Sequence, residues 1–340
     1  MYFYSILSFS LLTLLTFFLV IPSLYNALFF SNPLYALFLV VIFIGLIVGH
    51  FHEYQIGIVQ QRKELKSKTF VINDLIVVTV TALATALTFF LNNEFQMGGV
   101  VASSLVGFTG PLLYPKQQRA IFCGSFAGMA SLTVFTHMGW VLFAGLFAGF
   151  LLASSREIYD GFGGKLGACG FFGTIAASLL SGNFILLAEE ATLTADFNIA
   201  FFFIAGAVAT YYINKINHTG TVLASSFVGI LAGLILPVMY GDPGTNYAVA
   251  AFCGSFVGMT VIDRLTSEFY LFLTSFIGAI IYFFSQANFI GLGGKLGTTA
   301  FSAIVAWWGL MQLRDMTIDA SPRVRQRRKG NGNFRFWDRH

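Results

Sequence analysis

GFGGKLG, Gly161–Gly167, recurs as GLGGKLG, Gly291–Gly297, in a chain that otherwise holds little charge. A second pair, CGSFAGM (Cys123–Met129) and CGSFVGM (Cys253–Met259), keeps the same separation of 130 residues. VASSLVG (Val101–Gly107) and LASSFVG (Leu223–Gly229) stand 122 residues apart, as do Pro115 and Pro237. An eight-residue insertion between Pro237 and Cys253, around YGDPGTNY (Tyr240–Tyr247), accounts for the difference. Three near-identical blocks in one order imply an internal duplication, with a first copy over 70–194 and a second over 195–312.

The solvent of these copies follows from composition. Of the 340 residues, 56% are hydrophobic, 17% aromatic and only 10% charged, and the mean hydropathy is +0.77. A soluble domain carries about a quarter charged residues. Apolar runs long enough for a helix to cross the hydrocarbon core recur from end to end, and the period-2 alternation of a membrane β-barrel is absent. The fold class expected is an all-α polytopic membrane protein of about twelve spans. They fall near 3–30, 33–50, 72–91, 98–114, 120–136, 139–154, 166–187, 197–214, 221–238, 247–262, 268–285 and 296–312. The N-terminal stretch lacks a basic n-region and a small-residue cleavage site, and reads as a retained span.

Basic residues orient the spans, since cytoplasmic loops hold the Lys and Arg. Arg62, Lys63, Lys66, Lys68, Lys116, Arg119, Arg156, Lys215, Arg264 and the tail after Arg314 all fall on one side if both termini are cytoplasmic. The opposite loops hold Glu94, Glu189, Glu190, Asp196 and Asp242 and no Arg. Of the nineteen Lys and Arg, only Lys295 lands on the outer half. The expected setting is the plasma membrane (the inner membrane of a bacterium).

Lys295 has an explanation in the duplication. Each copy holds five candidate spans, and an odd number reverses direction, so the second copy enters the bilayer upside down. Residues equivalent in sequence then lie on opposite sides, and Lys295 is the inverted counterpart of Lys165. The organisation expected is two N-terminal helices and a basic loop over 1–69, the two inverted copies, and a basic cytoplasmic tail over 313–340. Inverted repeats are a recurring plan for transporters, because oppositely oriented halves present equivalent gates to either side.

The repeated blocks supply the candidate site. Gly163, Gly164, Gly293 and Gly294 leave backbone N–H groups open at the start of a span, where the helix N-terminus favours anions. Lys165 and Lys295 add an ammonium to each. The pattern is not a nucleotide-binding loop, because Leu follows the lysine. Ser103 and Ser104, with Ser225 and Ser226, supply paired hydroxyls that serve packing or solute binding. Gly124 and Gly128, and Gly254 and Gly258, have the GxxxG spacing of close helix packing, with Ser125 and Ser255 free to hydrogen-bond between helices. Cys123 and Cys253 are buried small residues or pathway-bordering thiols.

GHFHEY offers His50, His52 and Glu53, but residues two apart point to different helix faces and the stretch lies at a membrane boundary, which argues against a metal site. Asp74 and the Asp263–Arg264 pair are expected at cytoplasmic span ends. No catalytic triad, paired buried carboxylates or metal-ligand spacing appears, so no enzyme activity, cofactor or nucleic-acid partner is expected. The reading is a transporter or channel for a small anionic or polar solute or ion, its pathway between the two copies. The alternative is a non-transporting scaffold. Partners beyond the lipid bilayer would be a second copy or another subunit, through the first two helices or the basic tail.

Overall fold

The computed structural model describes residues 2–30, 33–60, 62, 71–184 and 196–320. Lys63, Lys66, Lys68, Glu189, Glu190 and the basic tail from Arg323 onward lie outside the described residues. Twelve α-helices and no strand occur among the described residues. They are α1 (Tyr2–Phe30), α2 (Pro33–Tyr54), α3 (Ile72–Asn93), α4 (Gly99–Leu113), α5 (Gln118–Ala127) and α6 (Met138–Ser154). After them come α7 (Lys165–Ser181), α8 (Phe197–Asn217), α9 (Thr221–Tyr240), α10 (Asp242–Gly258), α11 (Glu268–Ser285) and α12 (Lys295–Ala320).

Seven of them, α1, α2, α3, α8, α9, α11 and α12, are long and apolar enough to cross a membrane. The chain is therefore a helical membrane protein.

Polar residues mark several helix starts. Asp74 accepts a bond from the Val71 N–H at 2.9 Å, Asp196 caps α8 through the Asn198 N–H at 2.9 Å, and Ser267 caps α11 through the Tyr270 N–H at 3.2 Å. Each satisfies a donor that the first turn would otherwise leave open.

The fifth expected span, 120–136, is not one helix. α5 has ten residues, about 15 Å of rise against a core of about 30 Å. Past Ala127 the ladder tightens, with Met129 and Ala130 bonding Phe126 O and Ala127 O at 3.2 and 3.3 Å, and Ser131 then gives its N–H to Gly291 O at 2.9 Å. The counterpart of α5, α10, has 17 residues, and α9 has 20 against 15 in α4. The insertion around Tyr240–Tyr247 thus lengthens α9 past Pro237 and adds turns to the start of α10.

Small residues bring the helices together. Gly124 of α5 and Gly128 just past its end lie against the Thr81 and Thr85 carbonyls of α3, and Gly254 and Gly258 of α10 against the Phe203 and Ala207 carbonyls of α8. Backbones this close gain dispersion contacts that lipid cannot offer. α2 does not lie apart from the rest: Gly45 and Gly49 sit against the Ala306 and Val305 carbonyls of α12. The centre is aromatic. Phe122, Phe126, Phe252 and Phe256, all buried, form one cluster with ring centroids 4.3 to 6.3 Å apart.

Candidate functional site

The two glycine-lysine segments fold alike. Tyr159 and Phe289 take φ of 53° and 55°, Gly161 and Gly291 both take 77°, and Gly164 and Gly294 take 78° and 83°. Only glycine adopts the last of these without strain. At both positions a side chain would also strike backbone of the opposite segment, Gly297 O in one case and Gly167 O in the other. The first turns of α7 and α12 therefore cross with Gly167 and Gly297 face to face.

Each segment is held by the other half of the chain. Val261 donates its N–H to Gly161 O at 3.1 Å, and Ser131 donates to Gly291 O at 2.9 Å. The Gly163 N–H reaches Thr260 Oγ1 at 3.3 Å, and Gly293 O accepts from Thr174 Oγ1 at 2.8 Å. Val261 and Ser131 are themselves 130 residues apart, so the exchange is reciprocal.

The serine pairs behave the same way. Ser103 and Ser125 share a hydrogen bond at 2.9 Å, and Ser225 and Ser255 share one at 2.7 Å. Ser104 packs against Gly229 and Ser226 against Gly107, and neither buried hydroxyl has a partner among the described residues. Cys123 and Cys253 are wholly buried, and Cys253 donates to Leu296 O at 3.1 Å.

Both lysines fold back onto the C-terminal end of the preceding helix. Lys165 Nζ donates to Ser155 O at 2.5 Å. Lys295 Nζ donates to Asn288 O at 2.8 Å, Gln286 O at 3.1 Å and Ser285 O at 3.4 Å. A cation is favourable beside such carbonyls, where the helix dipole is negative. Sequence spacing gave no sign of this, since the lysine and its acceptors are joined by a loop rather than by one helix.

A cavity of about 350 Å³ reaches one of the two segments. Gln118 and Arg119 of α5, the stretch Asp160–Leu166, the start of α9 and the Phe256–Val261 region line it. Arg119 and Asp160 form an ion pair at 3.1 Å in its lining, both largely exposed.

Other ionic contacts gather residues that the charge pattern assigns to a single side. Arg156 pairs with buried Asp74, Lys215 pairs with Glu268 at 3.1 Å, and Arg264 grips buried Glu53 through both carboxylate oxygens at 3.2 and 3.3 Å. The Arg264 guanidinium also lies over the Phe162 and Trp308 rings, 4.5 and 4.8 Å from their centroids. Asp74 and Arg264 are thus buried or partly buried partners, not free charges at exposed span ends.

His50 takes part in a network that sequence reading missed. Its Nδ1 lies 2.5 Å from Tyr159 Oη, its Nε2 lies 2.7 Å from Thr16 Oγ1, and Thr13 Oγ1 is 3.1 Å from Tyr159 Oη. This joins α1 and α2 to the first glycine segment. Among the described residues no group of three or more His, Cys, Asp or Glu side chains could hold a metal ion.

The chain matches no family model, no curated protein and no solved structure.

Proposed function

We propose that this protein is an integral membrane transporter or channel, with both termini cytoplasmic, that moves a small anionic or polar solute between two inverted halves. The halves are α3–α7 and α8–α12, preceded by α1 and α2. α5 and the irregular residues after it make the fifth crossing as a broken helix, the form that discontinuous spans take around transport sites. The plasma membrane is the proposed setting.

The carrying observation is the reciprocal exchange at the glycine segments. Each half donates the same backbone groups to the other, at positions related by one constant offset, as a two-fold relation between the halves requires; the odd number of spans per half is what makes that relation an inversion in this reading. The 350 Å³ cavity supports a pathway rather than a filled seam, because it ends at this crossing and is lined by Lys165. Phe126 and Phe256 of its wall belong to the Phe122–Phe126–Phe252–Phe256 cluster, which on this reading is the apolar barrier that a transported solute must displace. That apolar cluster is also what a non-transporting scaffold would present, and flux separates the two.

The test is solute flux into vesicles carrying the purified protein. Transport across the wild-type protein, with altered selectivity after Lys165→Gln and Lys295→Gln together, supports the reading. Vesicles that pass no small solute remove it. Inversion is tested separately with Asp160→Cys and Ile290→Cys, since both positions are exposed and the native cysteines are buried. A membrane-impermeant thiol reagent should reach one from each side of the bilayer.

A further inference from the structure

The two lysines that the duplication makes equivalent differ in what satisfies them. An ammonium has three donors. Lys295 spends them on three carbonyls, those of Ser285, Gln286 and Asn288. Lys165 has one acceptor among the described residues, Ser155 O, although it is only 2% exposed. Nearby carboxylates are already committed, Asp160 to Arg119 and Glu53 to Arg264. Among the described residues, then, this buried ammonium has two donors unmet and no carboxylate to itself, a costly arrangement, and Lys165 is one of the residues that line the cavity.

From this asymmetry we infer that Lys165 alone is the solute-binding cation, that Lys295 is a structural helix cap, and that the solute is a small monocarboxylate. The inference rests on the transport reading for its biological meaning, but not for the site. A carboxylate supplies the acceptors and the negative charge that Lys165 lacks, and charge-assisted bonds of this kind are the stronger ones. The remaining walls are mixed: Gln118, Thr221 and the glycine backbone are polar, while Phe126, Phe162, Leu166, Val222, Phe256 and Met259 are apolar. The apolar part favours a carboxylate with a hydrocarbon tail over nitrate or phosphate, which have none. The volume lies near the lower end of small-molecule sites and is ample for a short-chain carboxylate. Arg119, held by Asp160 in the lining, leaves the cavity with a net positive charge.

The experiment is propanoate binding to the purified full chain in detergent, by calorimetry, with propanamide and phosphate as comparison ligands. Propanoate should bind the wild-type protein, with propanamide and phosphate at least about tenfold weaker, the scale of a lost charge-assisted bond. Lys165→Gln should weaken propanoate by a similar factor, whereas Lys295→Gln should lower the thermal midpoint and leave propanoate affinity within about twofold.

Equal affinity for propanoate and propanamide on the unmodified protein would overturn the inference without needing any variant to fold. So would phosphate binding as well as propanoate, or Lys295→Gln weakening propanoate as much as Lys165→Gln does. Binding that behaves as described in a protein that passes no solute in vesicles would leave the site intact and defeat the transport reading instead. Flux of neutral solutes only, with no propanoate binding, would do the reverse.

Discussion

Residues 159–167 and 289–297 share a backbone and diverge in their side chains. Tyr159 Oη shares a hydrogen bond with His50 Nδ1, while Phe289 at the matching position packs on Phe18 and Phe171 with centroids 4.8 and 5.4 Å away. Asp160 carries an ion pair, while Ile290 is an exposed apolar residue. Lys165 lines a cavity with one acceptor, and Lys295 is satisfied by three. Gly164 and Gly294 hold the shared geometry, because there positive φ and backbone contact together exclude a side chain, whereas the surrounding positions are free to specialise. On the proposed reading, one copy of the segment is a site and the other a fastening.

The comparison breaks most completely where the backbones touch. Gly164→Ala places a Cβ in a left-handed conformation and against Gly297 O and Phe301 N. Overpacking and the φ penalty together should cost about 3–5 kcal/mol. The outcome to look for is loss of monodisperse folded protein from detergent extracts, and Gly294→Ala should do the same. Equal tolerance of either substitution would mean that the crossing is looser than the contacts imply.

Next in size is the difference between the lysines. Lys295→Met strips three carbonyls of a charged donor and should cost about 2–4 kcal/mol, while Lys165→Met removes one bond and an unmet charge and should cost about 1 kcal/mol or less. Thermal unfolding of the two variants side by side reads this directly. A larger loss at Lys165 would reverse the assignment.

Glu53→Gln leaves the Arg264 guanidinium partly buried without its counter-ion. The expected loss is about 2 kcal/mol, below the 3–5 typical of a fully buried pair because Arg264 keeps some solvent access. A Glu53→Gln/Arg264→Met double variant should recover part of it in the same assay.

Tyr159→Phe makes the first segment resemble the second. It removes the hydrogen bonds to His50 and Thr13 and should cost about 1 kcal/mol, with the backbone unchanged. The smallest effect is expected at Arg119→Gln. Its pair with Asp160 is largely exposed, so stability should move by less than about 0.5 kcal/mol, whatever happens to solute binding.

Much of this architecture is legible in the residues themselves. The long helices follow from uninterrupted apolar runs, and the three repeated blocks locate the segments that meet at the centre. The fifth span was misread because hydropathy continues through Met129–Phe135, whereas the helix ends there and Ser131 bonds the other half. The Glu53–Arg264 pair and the His50–Tyr159 contact join residues 211 and 109 apart. No local spacing announces either, since such contacts exist only after the helices have packed.

What the amino-acid order determined alone was a lipid-embedded, all-helical chain that carries two copies of one glycine-lysine motif, because apolar length and block identity are local properties. Which lysine is satisfied and which faces a cavity was decided by tertiary structure. The two motifs are nearly identical in sequence, and only the acceptors that folding delivers from distant segments tell one ammonium from the other.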